Sequence, residues 1–170
     1  MKYLIISDIH GVKEYINITE ELIKKESPDK IVLLGDILSN TDEDIYSSEV
    51  LNLYKDKIIG IRGNNDYYNA DRLLDFKLHD YYIENIKNKN FFFTHGHLLY
   101  SYEFNNIDYI AMGHTHRSGI SEYNGMKVIN PGSIALPRDF HHTYMVISDK
   151  IYIKDINGQV YSEEEIWKKK

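Results

Sequence analysis

Five short apolar runs in this chain each end at a cluster of aspartate, asparagine or histidine. KYLIIS precedes Asp8-Ile9-His10, KIVLLG precedes Asp36, and KIIGIRG precedes Asn64-Asn65-Asp66. NFFFT precedes His95-Gly96-His97, and DYIAMG precedes His114-Thr115-His116. Short continuous apolar runs bounded by polar residues read as strands buried on both faces, the kind found in parallel sheets. In such sheets ligands bind beyond the carboxyl ends of the strands. The five clusters are therefore expected at one edge of a common framework. A glycine beside each lets the backbone turn sharply or approach a ligand closely.

The segments between these runs set the fold class. VKEYINITEELIKKE places Val12, Ile16, Leu22 and Ile23 at helical spacing and stops before Pro28, where the helical conformation is disfavoured. DEDIYSSEVLNLYK reads as a second helix with acids in its first turn. Strand, helix, strand, helix, strand implies parallel crossovers and a sheet covered on both faces. The second half is rich in strands. YYIENI and FFFTHG flank KNKN, a hairpin turn, and GISEY and MKVIN flank Asn124-Gly125, a strong hairpin signal. TYMVIS and KIYIKDI complete a run of strands expected to pair antiparallel. The expectation is an α/β protein of two facing sheets with helices outside, in a single domain spanning 1–170.

Bulk properties narrow the function. With 42% hydrophobic and 27% charged residues, the chain is too apolar for disorder and lacks a long apolar run. Asp8 interrupts the apolar start too early for a signal peptide, so the start is read as a buried strand and the protein as cytoplasmic. There is no cysteine, so any metal must be held by oxygen and imidazole. A net charge of −6 argues against binding long nucleic acid through its backbone. The closing KKK reads as a solvated tail.

Aspartate and histidine ligate divalent transition metals, and asparagine can lend a carbonyl oxygen. Two sites can be assembled. Asp8, His10, Asp36 and His116 can hold one ion, and Asp36, Asn64, His95 and His114 the other, with the two oxygens of Asp36 as the bridge. Two histidines one residue apart then serve different ions. Two such ions activate a water and clamp a phosphoryl oxygen.

The ordered set DIH, GDI, GNND, THGH and GHTH resembles the signature of the calcineurin-like metallophosphoesterases. NPGSIALPR, residues 130–138, is similar to the segment that follows it in the small bacterial and archaeal phosphodiesterase branch. The resemblance runs from about Lys2 to Ile147. It implies a four-layer αββα sandwich of two facing mixed sheets with outer helices. It also implies a centre of two divalent metal ions, manganese foremost, with nickel, iron, zinc or magnesium as other choices. The family's ligands fall on Asp8, His10, Asp36, Asn64, His95, His114 and His116. The implied activity is hydrolysis of a small-molecule phosphodiester by a metal-bound hydroxide attacking phosphorus in line with the leaving oxygen. Members are often dimers or larger homo-oligomers.

The chain departs from the family pattern at two places. Many members carry a histidine where this chain has Asn65, which cannot exchange a proton near neutral pH but can hydrogen-bond a phosphoryl oxygen. The branch of small phosphodiesterases often lacks that histidine too. GDILSNTDED also lacks the arginine of the protein-phosphatase branch, which ranks that activity low. His97 and Asn65 are expected to position the phosphate or leaving group. Arg138 would meet a phosphate or form a surface salt bridge. Arg62 would brace its loop, and Asp66 would orient a ligand histidine or cap a turn. His79, His141 and His142 are taken as ordinary surface residues. The alternative to an enzyme is a scaffold of the same fold, resembling the retromer subunit, that binds partner proteins.

Overall fold

The structure is a computed structural model that describes residues 1–166; the KKK tail lies outside the described residues. The first half alternates as expected: β1 (Tyr3–Ile6), α1 (Lys13–Glu26), β2 (Lys30–Leu33), α2 (Glu43–Asn52) and β3 (Ile58–Ile61). A short α3 (Tyr68–Leu73) and a two-residue strand β4 (Leu78–His79) follow. The second half contributes β5 (Tyr81–Ile86), β6 (Lys89–Thr94), β7 (Tyr109–Met112), β8 (Ser118–Tyr123) and β9 (Met126–Pro131). Three further strands, β10 (Thr143–Ile147), β11 (Lys150–Asp155) and β12 (Val160–Glu165), return to the first sheet. One sheet has the order β12-β11-β10-β1-β2-β3-β4 and the other β5-β6-β7-β9-β8.

Alternation along β1 explains the layering. Tyr3 and Ile5 pack between the sheets with Val32, Leu34, Phe91, Phe93, Tyr109 and Ile129. Leu4 and Ile6 point the other way and pack with Ile16, Leu22, Leu51 and Ala70 of the three helices. Successive side chains of a strand take opposite faces, so a strand buried on both must be apolar throughout. Truncating one of these fully buried side chains, such as Ile5, to alanine would cost about 2–5 kcal/mol.

The strand-rich half differs from the antiparallel expectation. β6 pairs parallel with β7, and β7 parallel with β9. Parallel neighbours need a crossover, and residues 95–108 supply one that includes a single 3-10 turn, Leu99–Ser101. This crossover lies over the outer face of the second sheet, where Tyr102 and Phe104 meet the Phe92 ring at 5.2 and 5.1 Å between centroids. The antiparallel expectation holds for β1 with β10, β10 with β11, and the two hairpins. Both hairpins close over two residues of positive φ, Lys87-Asn88 and Asn124-Gly125, so the last two residues of KNKN belong to β6. α2 ends at Asn52, before the tyrosine and lysine assigned to it from sequence, and the chain tightens into a 3-10 turn at Lys55–Lys57. No helix among the described residues is long and apolar enough to cross a membrane.

Candidate metal centre

The strands deliver the polar clusters to one edge. Asp8 and His10 follow β1, Asp36 follows β2, Asn64 follows β3, His95 follows β6, and His114 and His116 follow β7. Backbone bonds extend the sheets into these loops: Asp8 N–H donates to Gly35 O at 3.1 Å, His10 N–H to Asp36 O at 2.8 Å, and Gly113 N–H to His95 O at 3.1 Å. Five of the seven expected ligands take left-handed backbone: Asp8, His10, Asp36, His114 and His116, with φ of 55, 53, 48, 65 and 58°. That conformation is uncommon for residues with a side chain, though aspartate and histidine enter it more readily than most. Two glycines make room. A Cβ on Gly63 would lie 2.1 Å from Asp36 N, and one on Gly113 would lie 1.9 Å from Ser7 Oγ.

The ligand atoms of Asp8, His10, Asp36 and His116 all lie within 4.8 Å of one another. His116 Nε2 is 3.2 Å from Asp8 Oδ1 and 3.4 Å from His10 Nε2, and His10 Nε2 is 3.7 Å from Asp36 Oδ2. The second expected set is gathered pairwise. His95 Nε2 stands 3.1 Å from Asn64 Oδ1 and 3.5 Å from Asp36 Oδ2, and the His95 and His114 rings are 5.0 Å apart. Asp36 lies between the two, with Oδ2 facing both His10 and His95.

Hydrogen bonds aim these side chains. His95 Nδ1 bonds to Leu34 O and His116 Nδ1 to Leu136 O, both at 2.7 Å. A carbonyl only accepts, so each Nδ1 carries a proton and Nε2 is the atom each ring turns toward the cluster, the arrangement usual for metal-ligating histidines. Asp8 spends Oδ2 on Ser7 Oγ at 2.6 Å and on the His114 amide at 3.1 Å. Its Oδ1 is buried and has no hydrogen-bond donor. Convergent carboxylate oxygens and imidazole lone pairs around an acceptor without a donor fit a cation.

The ionisation of the cluster follows from the same contacts. Burial pushes the Asp36 carboxyl up, but His95 and the backbone and side-chain amides of Asn65 outweigh it and hold the group well below the carboxylate range. Burial lowers His10, His97 and His114, favouring neutral rings. His95 is pushed down by burial yet ends raised through Asp36 and Asp8, and Asp8 raises His116.

The remaining predicted residues fall into place differently. Asn65 does not project freely into the site; its backbone and side-chain N–H groups donate to the two oxygens of Asp36, each at 2.8 Å. His97 sets its ring 5.4 Å from His95 and 6.2 Å from His114, with Nδ1 buried and unpartnered. Asp66 touches no ligand histidine. It is fully buried and accepts from the amides of Ile37, Leu38 and Gly63 at 2.8, 3.1 and 2.9 Å, tying the loop after β2 to the loop after β3. Burial pushes its pKa up to about 6 against those amides. Arg62 braces this loop as expected, through Asp66 O and Asp71. Arg138 is exposed beside the cluster, its amide bonded to His116 O at 2.8 Å. Of the three histidines read as ordinary surface, His79 and His142 are half-buried; His142 stacks on Tyr15 at 4.9 Å and bonds to Ile134 O.

Sequence reasoning passed over Ser133 and Asn130. Ser133 Oγ donates to Asp8 O at 2.8 Å and accepts from the Leu136 amide, while Asn130 holds Gly113 O and Thr115 Oγ1 at 3.0 Å each. Both lie within NPGSIALPR, so the motif marked the segment without revealing that these two side chains bind the ligand loops.

Residues 1–150 match the model of the calcineurin-like phosphoesterase superfamily domain. The chain is similar to the phosphodiesterase YfcE of Escherichia coli, with 31% identity over 150 residues, 81% of this chain and 82% of that protein. A solved structure of E. coli YfcE, described as a phosphoesterase, superposes with a TM-score of 0.86 over 98% of this chain and all of the other, at 25% identity. The probable metallophosphoesterase YsnB of Bacillus subtilis is 30% identical over 148 residues, 81% of this chain and 78% of its own. Vacuolar protein sorting 29 of Cryptosporidium parvum shares the fold alone, with a TM-score of 0.67 and 20% identity over 96% of this chain and 97% of that one.

Proposed function

The chain belongs to the calcineurin-like phosphoesterase superfamily and is an enzyme of that class; on that premise we propose that it is a phosphodiesterase working with two divalent metal ions, manganese first among them. The observation that carries this reading is the buried Asp8 Oδ1, which has no donor and sits among Asp36, His10 and His116. Asp8, His10, Asp36 and His116 would hold one ion, and Asp36, Asn64, His95 and His114 the other. Bound there, the ions supply Lewis-acid polarisation of a phosphoryl oxygen and acidify water for attack.

The chain's own residues do the rest. The Asn65 amides fix the Asp36 carboxylate in the orientation that faces both half-sites. The carbonyls of Leu34 and Leu136 hold His95 and His116 in one tautomer. His97, whose ring lies beside those of His95 and His114, would hydrogen-bond a phosphoryl or leaving oxygen. Ser7 and Ser133 are buried and hydrogen-bonded, which favours water over either serine as the nucleophile. With asparagine at position 65, diesters with good leaving groups are the favoured substrates. On this reading the enzyme acts in the cytoplasm on a small-molecule phosphoester.

The test is turnover of bis-p-nitrophenyl phosphate beside p-nitrophenyl phosphate, using chelated protein with Mn²⁺, Ni²⁺, Zn²⁺ or Mg²⁺ restored singly. Metal-dependent cleavage of the diester faster than the monoester is expected. A folded protein that binds two ions and cleaves neither ester would instead favour the scaffold, the reading kept open by the shared fold of vacuolar protein sorting 29.

A further inference from the structure

Residues 136–140 follow Ser133, which holds Asp8 O, and none of them belongs to the cluster of Asp8, His10, Asp36 and His116. Leu136 gives its carbonyl to His116 Nδ1 yet leaves its side chain 51% exposed. Arg138 is fixed by its amide to His116 O, with its side chain in solvent. Arg62 is spent on Asp71, and Arg72 lies over the Tyr68 ring, whereas Arg138 makes no ion pair among the described residues. The neighbouring carboxylate is already committed: Asp139 Oδ2 accepts from Ser118 N and Oγ at 2.7 and 2.8 Å. The expected surface salt bridge of Arg138 is therefore not formed, and its guanidinium stands ready for a bidentate anion.

Phe140 is the less expected residue. Its side chain is 91% exposed and its backbone is left-handed, with φ of 67°. An exposed phenylalanine gains nothing from burial. Left-handed backbone costs roughly 1–2 kcal/mol for a residue with a side chain, and for a bulky one it is an outlier. Neither feature helps the fold, and both occur at one residue on a loop anchored to the metal ligands. Strain of this kind gathers at ligand-binding positions. Tyr67, next after Asp66, and Leu98, next after His97, are also exposed on loops at the same strand ends.

We propose that residues 136–140 are the substrate-recognition loop, with Arg138 gripping the phosphoryl group and Phe140 stacking on a planar ring carried by the substrate. The substrate class is then a phosphodiester bearing a nucleobase or another aromatic substituent. This rests on the phosphodiesterase reading. Stacking suits any planar ring, because every such ring has a π-face, and one base–aromatic contact is worth about 1–3 kcal/mol.

The experiment is calorimetric titration of the metal-loaded protein with methyl phosphate, phenyl phosphate and thymidine 5′-monophosphate, with bis-p-nitrophenyl phosphate turnover measured in parallel. The wild type should bind the ring-bearing ligands about tenfold more tightly than methyl phosphate. F140A should remove that preference and F140W restore it. R138A should weaken all three ligands to a similar degree, with two ions still bound by metal analysis. Equal gains for phenyl phosphate and the nucleotide identify any aryl group; a gain for the nucleotide alone identifies the base. A ring preference that survives F140A, or methyl phosphate binding untouched by R138A, overturns the assignment of the loop. Loss of turnover in a wild type that still discriminates rings would sink the phosphodiesterase reading and leave the loop as a ligand site. Turnover without discrimination would sink the loop alone.

Discussion

β1 starts beside one cluster of buried charge and ends at another. At its start Glu26, 7% exposed, accepts from Lys2 Nζ at 2.6 Å, Lys154 Nζ at 2.9 Å and the Tyr144 hydroxyl at 2.8 Å. At its end Asp8 and Asp36, still more deeply buried, meet ring nitrogens and amides, and one oxygen has no donor. The first cluster is neutralised by the protein's own cations and ties α1 to the sheet. In the second, the carboxylates face only histidines among the described residues, with no lysine or arginine paired to them. Burial of a carboxylate therefore says little by itself; what distinguishes a brace from a metal centre is whether the counter-charge comes with the chain.

The largest effect that would break this contrast is expected at Asp36. Asp36→Asn should lower the bound ions below two per chain and reduce diester turnover by more than the roughly 100-fold that outer-shell partners of metal ligands command. Metal analysis beside kinetics checks it; full metal content with full turnover would show that Asp36 is no bridge. Next comes the brace. Glu26→Ala leaves two lysines without their counter-charge and should cost about 3 kcal/mol in urea unfolding, with metal content unchanged. The third prediction separates the clusters by ligand. At a Mn²⁺ concentration 100 times its Kd the wild type should gain about 2.7 kcal/mol of stability. Glu26→Ala should keep that gain and Asp36→Asn should lose most of it, as a shift in Tm will show.

The smallest effect is one of pH. Burial pushes Glu26 up, but Lys2, Lys154 and Tyr144 hold it down at about 2, below the ordinary 4.5. A depressed carboxyl contributes stability that is complete above its unfolded value and disappears as pH falls through its folded one. The stability advantage of the wild type over Glu26→Gln should thus be constant above pH 4.5 and shrink between 4.5 and 2. An advantage that grew on acidification would mean that the lysines are not its source.

The framework was legible wherever a local pattern decided the outcome. KYLIIS, KIVLLG and DYIAMG are apolar throughout because both their faces are covered, and each leads into a turn that carries ligands. Asn124-Gly125 closes its hairpin because both residues accept positive φ. Elements defined by distant partners were not legible. β4 has two residues and exists through pairing with Gly60 and Ile61. β12 carries Glu163 and Glu165, poor strand residues in isolation, which meet Lys150 across the ladder. The same limit applies at the site. The seven proposed ligands are visible as residue types, but that Asp66 would clamp two loops and Asn65 would face Asp36 depends on contacts about 30 positions away in sequence.

The left-handed backbone of Asp8, His10, Asp36, His114 and His116 has a consequence for how the chain can vary. Two filters act at those positions, and they reject different residues. The proposed metal binding admits only side chains with a suitable lone pair. Conformation separately excludes valine, isoleucine and threonine, while asparagine and glycine pass it. Asparagine in place of these aspartates should yield a protein that is shaped correctly and inert, and a β-branched residue one that is inert because the turn itself has moved. On the proposed reading, the centre can thus be silenced by a single substitution without dismantling its frame.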